Sequence, residues 1–177
     1  MYNKCSKIVI GGTMSYCVKC GNKLELKHLN NEGMIPFCSN CNEYRFEQFN
    51  VAVSMVILNK DLDKTLFIEQ YRKDMKVLVA GYINKGESAE DAVKRELFEE
   101  VGLNVHSMRF QISKFHEKSN TLMLNYLVVV EDLMVLKNFE VDRFGWYSLE
   151  EAYKLTNVGS LAKEFYDYFY EVKKCIN

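Results

Sequence analysis

The chain has no excess of either charge. Of its 177 residues, 23 are Lys or Arg and 24 are Asp or Glu, a net charge of −1. That balance argues against a protein that grips nucleic acid chiefly through phosphate charge. Long apolar runs are also missing: Val51–Leu58 and Leu127–Val130 fall far short of a bilayer span. No basic start, apolar stretch and small-residue cleavage site follow one another at the N-terminus, so no secretory signal is legible. There is no internal repeat and no low-complexity tract. The expectation is a cytoplasmic protein without a membrane partner. Hydrophobic residues make up 48% of the chain, enough for a packed core, which excludes disorder as the main state. The length suits one ordinary domain with a small appendage.

What is present begins with cysteine. A reducing compartment disfavours a disulfide framework for the six cysteines. Four of them form two pairs, Cys17-Val18-Lys19-Cys20 and Cys38-Ser39-Asn40-Cys41, separated by 17 residues. This spacing fits a zinc ribbon, in which two tight turns supply four thiolates in a tetrahedron. Gly21 follows the first pair, where such a turn often needs positive φ. The apolar residues between the pairs are too few for a core, so the metal would hold the segment together. A four-thiolate zinc has no open position, so its role is structural. The competing reading is one redox CxxC beside an accidental one. Cys5 and Cys175 lie outside the pattern and have no assigned role. Ile10-Gly11-Gly12-Thr13 before Met14 reads as a translated ribosome-binding site, which would make residues 1–13 a non-native leader. The expected organisation is therefore a leader at 1–13, a zinc ribbon at 14–48 and a main domain at 49–177.

The texture changes at Phe49. Val51–Leu58 is a continuous apolar, β-branched run and reads as a buried strand. Thr65–Gln70, Lys76–Ala80, Leu122–Val130 and Phe144–Tyr147 read as further strands. Ala89–Val101 has apolar residues at helical spacing, with Ser88 as cap, Asp91 completing a capping-box pattern and Gly102 closing the end. A second helix is expected from about Ser160 to Lys174 and a short one near Leu149–Leu155. Interspersed strands and helices make the domain mixed α/β.

The chemistry lies in Gly81–Leu103, GYINKGESAEDAVKRELFEEVGL. Glu96, Glu99 and Glu100 share one helix face, late in the helix where the macrodipole disfavours negative charge. Arg95 alone cannot neutralise them together with Glu87, whereas a hard divalent cation, Mg²⁺ or Mn²⁺, can. A solvated acidic face would account for the glutamates taken alone. It does not account for the whole string, which satisfies G-x5-E-x7-R-E-U-x-E-E-x-G-U at Gly81, Glu87, Arg95, Glu96, Leu97, Glu99, Glu100, Gly102 and Leu103.

This string resembles the Nudix box, and the chain is similar to Nudix hydrolases. The resemblance implies an α/β/α sandwich with a mixed sheet, preceded here by the small zinc ribbon. It implies that Glu96 and Glu100 are metal ligands, that Glu99 is a third carboxylate at the cluster, and that Arg95 and Glu87 brace each other and orient the ligands. Members of the family cleave a diphosphate joined to a nucleoside by metal-assisted water attack, with a Glu taking the water's proton.

A four-cysteine ribbon before such a domain is similar to the NADH pyrophosphatase group, which cleaves NAD(H) and can remove NAD caps from RNA. By that resemblance Tyr82 and Phe46 would stack on bases, Ala162 would approach the nucleotide, and Glu140 would be a further metal ligand. Each aromatic also reads as a packing residue, and Glu140 also reads as a surface charge. The group's S-Q-P-W-P-F-P-x-S stretch is replaced by SKFHEKSNT at Ser113–Thr121, and short zinc-ribbon proteins of this layout also resemble enzymes acting on ADP-ribose or FAD. His116 in that stretch could meet a phosphate or act as an acid. The expected partners are a small nucleotide and a capped RNA end, and the resemblance implies a homodimer. The alternative from another class is a nucleotide-sensing module with this fold and no turnover.

Overall fold

The computed structural model describes residues 15–70, 75–131 and 141–176. The suggested leader, Cys5 and Glu140 lie outside these residues, as does the side chain of Cys175. The chain forms two compact units, residues 1–48 and 49–177.

The described part of the first unit is a small antiparallel sheet of β1 (Glu25–Leu29), β2 (Gly33–Cys38) and β3 (Glu43–Tyr44), in that order. Its apolar residues are mostly exposed, Leu26 and Met34 among them, and its buried ones are Cys17, Phe37 and Cys38. Phe37 is packed edge-on by Tyr44 at 5.0 Å and covered by the Lys27 ammonium at 3.9 Å. Three buried side chains cannot offset the ordering entropy of some thirty residues. Gly21 has φ +71° behind the first CxxC, a conformation that suits glycine.

The second unit is built on β4 (Asn50–Leu58), β5 (Lys64–Gln70), β6 (Val79–Tyr82), α1 (Ala89–Val101), β7 (Val105–His116), β8 (Thr121–Val130), β9 (Val141–Ser148), α2 (Leu149–Leu155) and α3 (Leu161–Ile176). The sheet runs β7-β8-β4-β5-β9, with β6 also paired to β4. β4 and β8 are parallel, while the other described pairs of this sheet are antiparallel. The sheet is therefore mixed.

The unbroken apolar run of β4 follows from burial on both faces. Val53, Met55 and Ile57 point to one cluster with Ala92, Val93, Leu97 and Val101 of α1. Val56 and Leu58 point to the other, with Ala152 of α2 and Phe165, Tyr166 and Phe169 of α3. Helices thus cover both faces, an α/β/α sandwich. Ser88 caps α1 by accepting the Asp91 N–H at 3.1 Å, and its hydroxyl donates to the Asp91 carboxylate. Gly102, at φ +69°, ends the helix by donating its N–H to the Phe98 carbonyl.

Two sequence expectations need correction. The strand expected at Lys76–Ala80 lies at Val79–Tyr82, because pairing with Ala52–Met55 of β4 sets its register, while Val77 forms an isolated bridge to Ile68. The twelve-residue β7 was not expected at all. Its polar residues and its irregularities at Val105/Ser107 and Phe110/Ile112 break the two-residue period by which a strand is read.

Candidate active site

β6 ends beside the catalytic candidates, and the loop 83–88 carries the chain into α1. The first constraint is at Gly81. A Cβ there would lie 1.9 Å from Glu96 Cδ and 2.0 and 2.3 Å from its two oxygens. The Glu96 carboxylate therefore rests directly on the backbone of β6, an approach that only glycine permits.

Arg95 is the hub of the site. Its Nε and Nη2 donate to the two oxygens of Glu87 at 2.7 and 2.9 Å, a bidentate pair. Nη2 also donates to the Tyr82 carbonyl at 3.0 Å, and Nη1 donates to Glu96 at 2.6 Å and to Glu99 at 3.0 Å. Glu87 additionally accepts the Asn84 N–H at 2.9 Å. One guanidinium thus ties β6, the loop and two turns of α1 together. Arg95 beside it, helped by the Asn84 N–H, pulls the Glu87 carboxyl down to about 2. Burial pushes the Glu96 carboxyl up against the pull of Arg95, and Glu99 and Glu87 add to the rise. Glu100 is buried, with 5% of its surface exposed, on the same helix. Glu99 is half exposed.

The donor set fits a hard divalent cation. Three carboxylates, Glu87, Glu96 and Glu99, meet one guanidinium, every candidate ligand is oxygen, and two of the helix carboxylates, Glu96 and Glu100, are held largely out of water. Glu96 and Glu99 turn towards Arg95 rather than gathering on one point.

The four cysteines do gather, and among the described residues they are the one such cluster, with all four sulfurs within 4.8 Å of one another. Cys17 and Cys41 Sγ are 3.9 Å apart, and Cys20 and Cys38 Sγ 3.5 Å. A tetrahedral zinc with four thiolates requires about 3.8 Å between sulfurs. Burial opposes ionisation of Cys17, but Arg45, whose Nε donates to its sulfur at 3.2 Å, and the N–H groups of Lys19 and Cys20 hold its thiol down at about 6. Crowding works the other way on Cys41, which the Cys20 sulfur, burial and the other two cysteines push up to about 12. Four thiols this close cannot all ionise unaided, and a divalent cation removes that conflict.

The proposed nucleotide contacts are distributed as follows. Tyr82 is 56% exposed, directly after Gly81. Ala162 sits in the first turn of α3, half buried against that helix's cluster. Phe46 is 54% exposed and belongs to the first unit. His116 ends β7 and its Nδ1 is 2.8 Å from Ser119 Oγ. The sequence reading missed the pairing of Lys114 on β7 with Glu164 on α3, because fifty residues separate them and neither belongs to a motif. It also missed the polar run in which Gln111 donates to Asn125 at 2.8 Å and Asn125 to Ser54 at 3.4 Å.

A carboxylate-bearing loop and helix braced by one arginine, on a mixed sheet between helices, defines a Nudix site. The NUDIX domain family profile matches residues 48–169, and the chain belongs to that family. Among curated proteins it is similar to the NAD-capped RNA hydrolase NudC of Klebsiella pneumoniae, 25% identical over 84% of this chain and 57% of the relative. It is also similar to the NudC of Vibrio parahaemolyticus, 21% identical over 85% and 57%. The chain thus spans less than two thirds of these relatives. Among solved structures, a NUDIX hydrolase from Nitrosomonas europaea superposes with a TM-score of 0.65 at 16% identity, covering 88% of each chain. The NUDIX domain of Shewanella oneidensis NrtR, complexed with ADP ribose, gives 0.60 at 14% identity, covering 80% of this chain and 94% of that one. No described helix is long and apolar enough to cross a membrane.

Proposed function

We propose that the protein is a divalent-metal-dependent pyrophosphatase that cleaves the diphosphate of a nucleoside diphosphate derivative, an NAD(H)-like dinucleotide or ADP-ribose. The observation that carries this is the seating of the Glu96 carboxylate on Gly81, locked there by Arg95. A binding-only module gains nothing from desolvating carboxylates against a strand end. An enzyme gains a preorganised cation site. Glu96 and Glu100 hold Mg²⁺ or Mn²⁺, with Glu99 and Glu140 as further carboxylates of the centre. The bound cation supplies charge neutralisation on the diphosphate and a more acidic water. Arg95 and Glu87 keep the ligands in place, and a carboxylate of the same helix face accepts the water's proton. Tyr82 stacks on a base, and Ala162 leaves room for the nucleotide beside α3. The four cysteines bind Zn²⁺ as a structural ion.

A second reading, removal of an NAD cap from an RNA end, is favoured by the curated relatives, which are NAD-capped RNA hydrolases. It uses the same site on a longer substrate.

Product analysis by mass spectrometry tests both. The protein with Mg²⁺ or Mn²⁺ is offered NADH, NAD, ADP-ribose, FAD, diadenosine polyphosphates, nucleoside triphosphates and NAD-capped RNA. AMP plus nicotinamide mononucleotide from NADH, or AMP from ADP-ribose, is expected. Glu100→Gln should lose more than about 100-fold, since even groups that only support metal ligands are worth 10–100-fold. Absence of any metal-dependent product would refute the proposal.

A further inference from the structure

Four thiolates around one zinc leave two net negative charges, and these are costly wherever the sulfurs are covered. Cys17 and Cys38 are both buried. Beside them stands Arg45, just past β3, with 13% of its side chain exposed. Its backbone N–H donates to the Pro36 carbonyl at 2.7 Å, which fixes the root of the side chain to β2.

The guanidinium reaches the cysteine cluster from there. Nε donates to Cys17 Sγ at 3.2 Å, and Nη1 donates to Glu43 at 2.6 Å and to the Tyr44 carbonyl at 3.3 Å. Glu43 in turn pairs with Lys19, inside the first CxxC turn, at 3.5 Å. Arg45 therefore joins the strand that follows the second CxxC pair to the turn of the first, by a sulfur and by a carboxylate. The two routes are unequal. Glu43 and Lys19 are exposed, so their pairing is screened by water, whereas the Cys17 sulfur is covered. The remaining nitrogen, Nη2, is the one buried side-chain nitrogen or oxygen among the described residues without a hydrogen-bond partner. Burying it so is unfavourable, and a concentrated negative charge on the neighbouring sulfurs offsets that cost. Cys38 is served differently, accepting the Cys41 backbone N–H at 3.4 Å, and Cys20 is exposed to water.

We infer that Arg45 is a positioning residue of the zinc centre: its Nε holds the Cys17 thiolate in place, and its charge offsets half of the net negative charge of the thiolate shell. Partners of this kind orient metal ligands and tune their donor strength. Lysine is no substitute, because one ammonium cannot face Cys17, Glu43 and the Tyr44 carbonyl at once. The inference rests on the proposed binding of zinc by the four cysteines.

The test measures zinc affinity of the full chain by competition with a chromophoric chelator, and the absorption spectrum of the Co²⁺-substituted protein. Arg45→Met, similar in reach but neutral, should lower zinc affinity by about 10–100-fold. It should also move the sulfur-to-cobalt charge-transfer band to longer wavelength, since a thiolate relieved of a hydrogen bond gives up electron density more readily. Glu43→Gln removes only the exposed arm, so it should cost less than about fivefold and leave the band in place. Equal losses in the two variants would make Arg45 a latch through Glu43 and overturn the inference. So would an Arg45→Met protein within about threefold of the parent with its band unmoved. If Arg45→Met takes up no metal at all, Arg45→Lys decides: a weakened affinity and a shifted band are expected, and parent-like values overturn the inference. A parent protein that binds no zinc removes the ribbon reading and this inference together. A parent that binds zinc, with variants that match it, removes the inference alone.

Discussion

Gly81→Ala separates folding from catalysis at this site. The new methyl carbon would start 1.9 Å from Glu96 Cδ, whereas real Cβ atoms essentially never come within 3.0 Å of a neighbour and ordinary contact begins at 3.4 Å. The carboxylate must therefore retreat by about 1.5 Å, and a 1 Å misplacement of a catalytic group can cost about 100-fold. The obstructing atoms are the end of a flexible side chain rather than backbone, and Gly81 does not occupy the positive-φ region. The fold can thus yield by swinging Glu96 outward, at about 1 kcal/mol, the low end of the range for overpacking. The expected result is a melting temperature within a few degrees of the parent and at least a 100-fold fall in metal-dependent turnover, only partly recovered at high Mg²⁺. A folded Gly81→Ala protein with turnover within about threefold of the parent would refute the seating of Glu96 as the basis of the site.

Three further outcomes are expected. Cys38→Ser should lower zinc from one ion per chain towards none, measured by atomic emission, and should melt the first unit while the Nudix unit keeps its transition; unchanged zinc would remove the ribbon assignment. Glu87→Gln addresses pH: the folded carboxyl lies near 2 against an ordinary value of 4.5. The Glu87–Arg95 pair therefore stabilises the protein above pH 4.5, and that stability is lost as pH falls from 4.5 through 2. The variant should show a shallower fall in melting temperature across that window, and an identical slope would contradict the pairing. Arg95→Lys keeps the charge but cannot span Glu87, Glu96, Glu99 and the Tyr82 carbonyl at once, so turnover should drop by about 10–100-fold, and full activity would mean charge alone suffices.

Local signals made much of this protein legible. A helix cap, a closing glycine and an apolar stripe are short-range features, so the bounds of α1 from Ala89 to Val101 could be read directly. The two CxxC pairs were legible for the same reason, since each is a single turn of backbone. β7 was hidden because its residues are chosen for an edge position with local irregularities, where the alternation that marks a strand breaks down. The start of β6 shifted because register is decided by the partner strand rather than by the run of apolar residues.

The sequence by itself determined which charged groups meet, because Glu87, Arg95, Glu96 and Glu99 need only one loop and one helix to be brought near each other. It also determined the cysteine cluster, because two CxxC turns at that spacing can face each other. Only the tertiary structure decided what surrounds that chemistry. It decided that Glu96 lies on Gly81, that Arg95 reaches the Tyr82 carbonyl, and that Lys114 meets Glu164 across fifty residues. The reason is physical: spacing along a helix is fixed by its pitch, whereas contacts between a strand and a distant helix depend on how the sheet pairs and which face each side chain takes.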